Sequence, residues 1–142
     1  MPPMGTNFAN QDGTFNEQHY SYYEQRAKGG TGLITLENIC IDYPLGTNGT
    51  TQLRMDKDQF IPGLWQFNER MHAYGAATSV QINHAGASAY QPRLQGVQAV
   101  SSSDIPSKLE ILFHGHLKNS EIEQSYKIML QELCSAQKRP WI

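Results

Sequence analysis

The residues able to do chemistry gather in three short stretches of this 142-residue chain. The richest is TSVQINHAGA, from Thr78 to Ala87, where Thr78, Val80 and Ile82 alternate with Ser79, Gln81 and Asn83. A period of two is the pattern of a strand with one apolar face, so Gln81 falls on the polar face and His84-Ala85-Gly86 ends the strand in a small-residue turn. A primary carboxamide carries a donor and an acceptor side by side, which neither Glu nor Lys does. Two further polar groups sit where other strands are expected to end: Glu37-Asn38 after the apolar Leu33-Ile34-Thr35-Leu36, and the segment Pro3 to Thr6.

Other candidate chemistry is weaker. His114-Gly115-His116 could set two imidazoles on one side of an extended segment, but no third ligand is near in sequence and a loop surface is expected. Cys40 and Cys134 lack metal-ligand spacing and read as reduced thiols. Asn48-Gly49-Thr50 matches a glycosylation acceptor, yet without a secretion signal it reads as a turn. Hydrophobic residues are 39%, charged residues 17% and the net charge −2, so neither a nucleic-acid partner nor an acidic tail is indicated. No apolar run is long enough to span a bilayer, and a cytoplasmic protein is expected.

The elements that would position these groups follow from periodicity. Asn16 can cap a helix with Tyr20, Tyr23 and Ala27 on one face, stopped by Gly29 and Gly30. Leu33 to Leu36 reads as a strand buried on both faces, followed by a long loop from Ile39 to Met55. Asp56 and Asp58 precede a second helix, with Pro62 in its first turn, a buried stripe of Phe60, Leu64, Phe67 and Met71, and Gly75 at its end. Residues 88 to 119 show little periodicity, and Ser101 to Asp104 have loop composition. Ser120 and Glu123 form a capping box for a third helix carrying Ile122, Tyr126, Met129 and Leu133. Alternating strands and helices argue for parallel β/α architecture, open sheet or barrel, in which sites gather at the C-terminal ends of the strands.

MPPMGTN (1–7), RAKGGTGLITLEN (26–38) and VQINHAGA (80–87), in this order and spacing, resemble the N-terminal part of the old yellow enzyme family of NADH:flavin oxidoreductases. Within it they resemble most the branch of 2,4-dienoyl-CoA reductases and bacterial enoate reductases. The resemblance implies an α/β fold, a partial (β/α)8 TIM barrel of about the first three β/α units, with residues 1–142 forming a single incomplete FMN-binding domain. It implies FMN as cofactor, NAD(P)H as reductant and a small-molecule enoate or enoyl substrate whose activated C=C bond is reduced. An Fe–S cluster and FAD would belong only to a longer parent protein.

Carried over by position, Pro3, Met4 and Gly5 fall where the family's first strand ends along the flavin. Asn38 falls at the second strand's end, where relatives often have Gly or Ala. Gln81 matches the glutamine that bonds the flavin pyrimidine, whose edge alternates carbonyl acceptors with an N–H donor. His84 is placed on the substrate side, more to shape the strand end than to transfer a proton; Ala87 stands where the family usually has Arg. The family's proton donor and phosphate-binding loops fall beyond Ile142. The chain is therefore expected to be a fragment, inactive alone, that self-associates or pairs with a complementary barrel fragment through open strand edges. The alternative is a non-catalytic remnant or association module that keeps part of the barrel without binding flavin.

Overall fold

The computed structural model describes residues 1–101 and 115–116. The order is α1 (Glu17–Lys28), β1 (Leu33–Cys40), a 3-10 turn (Asp58–Phe60) running into α2 (Ile61–His72), β2 (Ala77–Asn83), a 3-10 turn (Gly86–Ser88), α3 (Gln91–Leu94), β3 (Val100–Ser101) and β4 (Gly115–His116). β1 and β2 pair in parallel, from Leu33 opposite Ala77 to Cys40 opposite Asn83. Parallel neighbours need a long crossover, and α2 supplies it. On the other edge of β1 the Met1 amino group donates to Leu33 O (2.6 Å) and Thr35 N donates to Met1 O (3.0 Å), so the first residue lies beside β1 in a strand-like ladder.

Capping sets the helix limits. The Asn16 side chain accepts from His19 N at 3.0 Å and donates to Phe8 O at 2.5 Å, so it starts α1 and ties it to the preceding loop. The N–H of Gly29 closes α1 on Gln25 O. α2 begins at Ile61 with Pro62 in its first turn, and Phe60 belongs to the preceding 3-10 turn. Its end is folded back by Gly75 (φ 78°), with Ala76 N donating to Met71 O at 3.2 Å.

The core lies between the helices and one face of the sheet. Ile34, Leu36 and Ile39 of β1 are buried with Tyr23 and Ala27 of α1 and with Phe67 and Met71 of α2. Tyr23 meets Phe67 edge-on at 5.3 Å, while Phe15 stacks on both Tyr20 (5.1 Å) and Phe67 (5.7 Å). Each fully buried large side chain among them, such as Phe67, Met71, Ile34 or Leu36, contributes roughly 1.5–3 kcal/mol of burial free energy.

Three expectations change. The strand expected to end at Leu36 continues to Cys40, because a bulge at Glu37 lets Asn38, Ile39 and Cys40 resume pairing with β2. The loop thus begins at Ile41. Nor is β1 buried on both faces: Leu33 is 52% exposed, since only the helix side of this sheet is covered among the described residues. Gly115–His116 and Val100–Ser101, read as loop, form a short parallel pair. The third helix, Cys134, His114 and residues 102–104 lie outside the described residues. Among the described residues no helix is long and apolar enough to cross a membrane.

Candidate functional site

The alternation of β2 decides which side chains face away from the helices. Thr78 Oγ1 donates to Asn68 Oδ1 on α2 (2.9 Å), whereas Ser79 Oγ donates to Thr35 Oγ1 of β1 (2.8 Å). Ser79, Gln81 and Asn83 therefore share the face opposite α2. Asn38 is the register partner of Gln81, so the two carboxamide residues stand side by side near the C-terminal end of the parallel pair. Gln81 is exposed, and its carboxamide has no hydrogen-bond partner among the described residues.

Gly5 borders Asn38. A methyl group built on Gly5 would lie 3.5 Å from Asn38 Oδ1 and 3.9 Å from Glu37 Oε2. The segment before it runs from the Met1 ladder through Pro2 and half-buried Pro3 to Met4, which is 53% exposed. Asn38 and Gln81 thus lie near the ends of β1 and β2, and Pro3, Met4 and Gly5 follow the Met1 ladder past Asn38. The path from Met4 to Gln81 runs through Gly5 and Asn38.

Glu37, the bulged residue, is the best-connected group here. A bulge leaves a backbone N–H without its ladder partner, and Glu37 N donates instead to the Tyr23 hydroxyl at 3.1 Å. The carboxylate accepts from Thr6 N and from Thr6 Oγ1 (2.7 Å), and His19 Nε2 of α1 lies 2.5 Å from its Oε1. That last contact is a close ion-pair approach without aligned hydrogen-bond geometry, and His19 Nδ1 has no partner among the described residues. Burial pushes the Glu37 carboxyl up, but the adjacent His19 ring and the hydrogen bonds from Thr6 outweigh it and hold the group below the usual carboxylate range.

The loop after β1 folds back along this end. Cys40 N donates to Leu53 O (2.9 Å) and Met55 N to Cys40 O (2.8 Å). Asn38 Nδ2 donates to Asn48 Oδ1 (2.8 Å), and Gln52 Nε2 donates to Asn38 O (3.2 Å), so the loop fixes Asn38 from the side away from Gln81's strand. Cys40 is buried and its thiol is pushed up to about 11 by burial, which keeps it protonated and unreactive at neutral pH.

His84 has protein partners on both ring nitrogens. Gly86 N donates to Nδ1 at 3.1 Å, so the proton sits on Nε2, 3.2 Å from Asp42 Oδ2. Asn83 Nδ2 and Ala85 N both donate to Gly46 O, at 3.2 and 3.1 Å. The His-Ala-Gly turn is in this way latched to the loop. A methyl on Gly46 would lie 2.8 Å from Asp42 O and 3.3 Å from His84 Cδ2, so the junction admits no side chain.

Sequence reasoning missed His19, Tyr23's polar role, Glu37's carboxylate and Asp42. His19 had a signal: it stands four and eight residues before Tyr23 and Ala27, a polar ring on an apolar stripe. Asp42 had none, because its partner is forty-two positions away.

A parallel β/α arrangement with polar groups near its strand ends defines an α/β protein of the open-sheet or barrel type. The sequence model of the NADH:flavin oxidoreductase / NADH oxidase family matches residues 1–136, and the chain belongs to that family. It is 42% identical over 124 residues to an NADH oxidase of Thermoanaerobacter brockii, covering 87% of this chain and 19% of that protein. It is 39% identical over 109 residues to a metal reductase of Desulforamulus reducens (77% and 16%) and 39% identical over 87 residues to an NADPH dehydrogenase of Halalkalibacterium halodurans (61% and 25%). The chain therefore spans a quarter or less of the length of these curated relatives. Among solved structures, an old yellow enzyme from a Pichia species superposes with a TM-score of 0.83 at 20% identity, covering 97% of this chain and 38% of that one. A 2-naphthoyl-CoA reductase complex also reaches 0.83 at 20% identity, over 92% and 22%. The fold is the corresponding part of the old yellow enzyme barrel.

Proposed function

We propose that this chain supplies part of the FMN cradle of an NAD(P)H-dependent oxidoreductase of the ene-reductase type, with Pro3, Met4, Gly5, Asn38 and Gln81 bordering the cofactor. The observation that carries the reading is the register pairing of Gln81 with Asn38, on the face opposite α2, beside the Gly5 strand end. An unbonded carboxamide there can donate to a ring carbonyl and accept from a ring N–H, which suits the edge of a flavin pyrimidine. Bound there, FMN would supply hydride-transfer chemistry between NAD(P)H and an activated C=C bond. The chain's own residues would orient that ring: Gln81 at its polar edge, and the Met4-Gly5 backbone along it. Hydrogen bonds to that edge stabilise negative charge on a reduced ring and so raise its potential. His84 and Asp42 hold the loop and the strand end together beside the site.

The substrate side of the reading, an enoate or enoyl compound, rests on the resemblance to the enoate reductase branch and on the family membership. FMN titration of the purified 142-residue chain, followed by quenching of flavin fluorescence, tests the cofactor role. Saturable binding that weakens in Gln81→Leu supports it. Absence of binding favours the non-catalytic association module instead.

A further inference from the structure

We infer that Glu37 is a positioning residue for the strand end that borders the flavin, acting through Thr6 and backed by His19; the inference rests on the flavin reading above. Between the Met1 ladder and Thr6, the chain passes through Pro2 and Pro3, which have no N–H to give, and through exposed Met4 and Gly5. That stretch has no regular structure of its own. What pins its far end is one carboxylate, which accepts both the N–H and the hydroxyl of Thr6, while the same hydroxyl accepts from Phe8 N at 3.2 Å.

Glu37 is only 4% exposed and His19 is fully buried. Burying a carboxylate is costly unless several donors meet it, and an apolar side chain could fill the same space without that cost. Here both hydrogen-bond donors come from Thr6, and the His19 ring of α1 closes against the same carboxylate. His19 is itself held among aromatic rings, 5.2 Å from Phe15 and 5.6 Å from Tyr23 between centroids. Tyr23 also takes the N–H that the bulge frees, so α1 fixes both the backbone and the side chain of Glu37. The course of Gly5 past Asn38 is therefore set from beneath, by a rigid helix, through groups with no assigned contact with the cofactor.

The test uses the 142-residue chain and its Glu37→Gln, Thr6→Val and Thr6→Ser variants, with two readouts: amide hydrogen exchange, and FMN affinity with the absorption spectrum of the bound flavin. Glu37→Gln is expected to speed exchange at the Thr6 amide at least tenfold while the amides of Leu36 and Val80 are unchanged, and to weaken FMN binding at least fivefold with a shifted spectrum. Thr6→Val, which keeps the shape and loses the hydroxyl, is expected to weaken binding in the same direction, and Thr6→Ser to retain it. Should Glu37→Gln fail to fold, the Thr6→Val and Thr6→Ser pair decides. Unchanged exchange at Thr6 overturns the inference, as does faster exchange with FMN affinity and spectrum unaltered. A wild-type chain that binds no FMN contradicts the flavin reading instead, and the exchange comparison then still decides whether Glu37 holds the strand end.

Discussion

Gln81 stands on the face of β2 opposite α2 with a carboxamide unbonded among the described residues, so Gln81→Leu removes hydrogen-bonding capacity without disturbing a packed neighbour. Two neutral hydrogen bonds are worth about 1–3 kcal/mol together. The expected outcome is FMN affinity lowered by about tenfold or more with thermal stability unchanged, read by titration and by a melting curve. Glu37 behaves differently because it is buried and bonded. Its carboxyl is held below its ordinary 4.5 in the folded chain. A group depressed on folding contributes stability that is present above its unfolded value and lost as pH falls through the folded one. Wild-type stability should therefore decline as pH drops below 4.5, and Glu37→Gln should be less stable near neutrality but show a flatter acid limb in denaturant melts. Gln81 was legible as an alternating polar residue on a strand. Glu37's two bonds from Thr6 and its close approach to His19 were not, because they join positions thirty-one and eighteen residues apart that no local pattern connects.

At the level of elements, the helices were readable in their stripes and stops. Tyr20, Tyr23 and Ala27, then Phe67 and Met71, are the buried faces that the 3.6-residue period requires. Phe67 is fully buried against the rings of Phe15 and Tyr23, so Phe67→Ala should destabilise the fold by about 3–5 kcal/mol in chemical denaturation. The end of β1 was not readable. Glu37-Asn38 looks like the polar stop of a short strand, yet the bulge absorbs Glu37 and the ladder resumes to Cys40. Only tertiary partners, the Tyr23 hydroxyl above all, make that continuation possible. The loop junction is similarly tertiary. Gly46→Ala should strain it by roughly 1–3 kcal/mol and loosen the His84 turn, seen as changed His84 ring resonances in NMR spectra.

At the scale of the molecule, β1 lies between Met1 and β2, while β2 has no second neighbour in its sheet among the described residues. Unpaired strand edges invite pairing with another chain, so size-exclusion chromatography is expected to show species larger than the 16.0 kDa monomer. A clean, stable monomer would count against that. The barrel architecture was legible only through the motifs, since alternating strands and helices suit an open sheet equally well; likeness in fold to old yellow enzymes decides for the barrel. The central claim is that the ends of neighbouring strands form part of a flavin cradle. The most direct measurement is the visible absorption spectrum of the purified chain after incubation with FMN and removal of free cofactor. A yellow protein with the bands of bound oxidised flavin, diminished in Gln81→Leu, is the expected result; a colourless wild-type chain would contradict it.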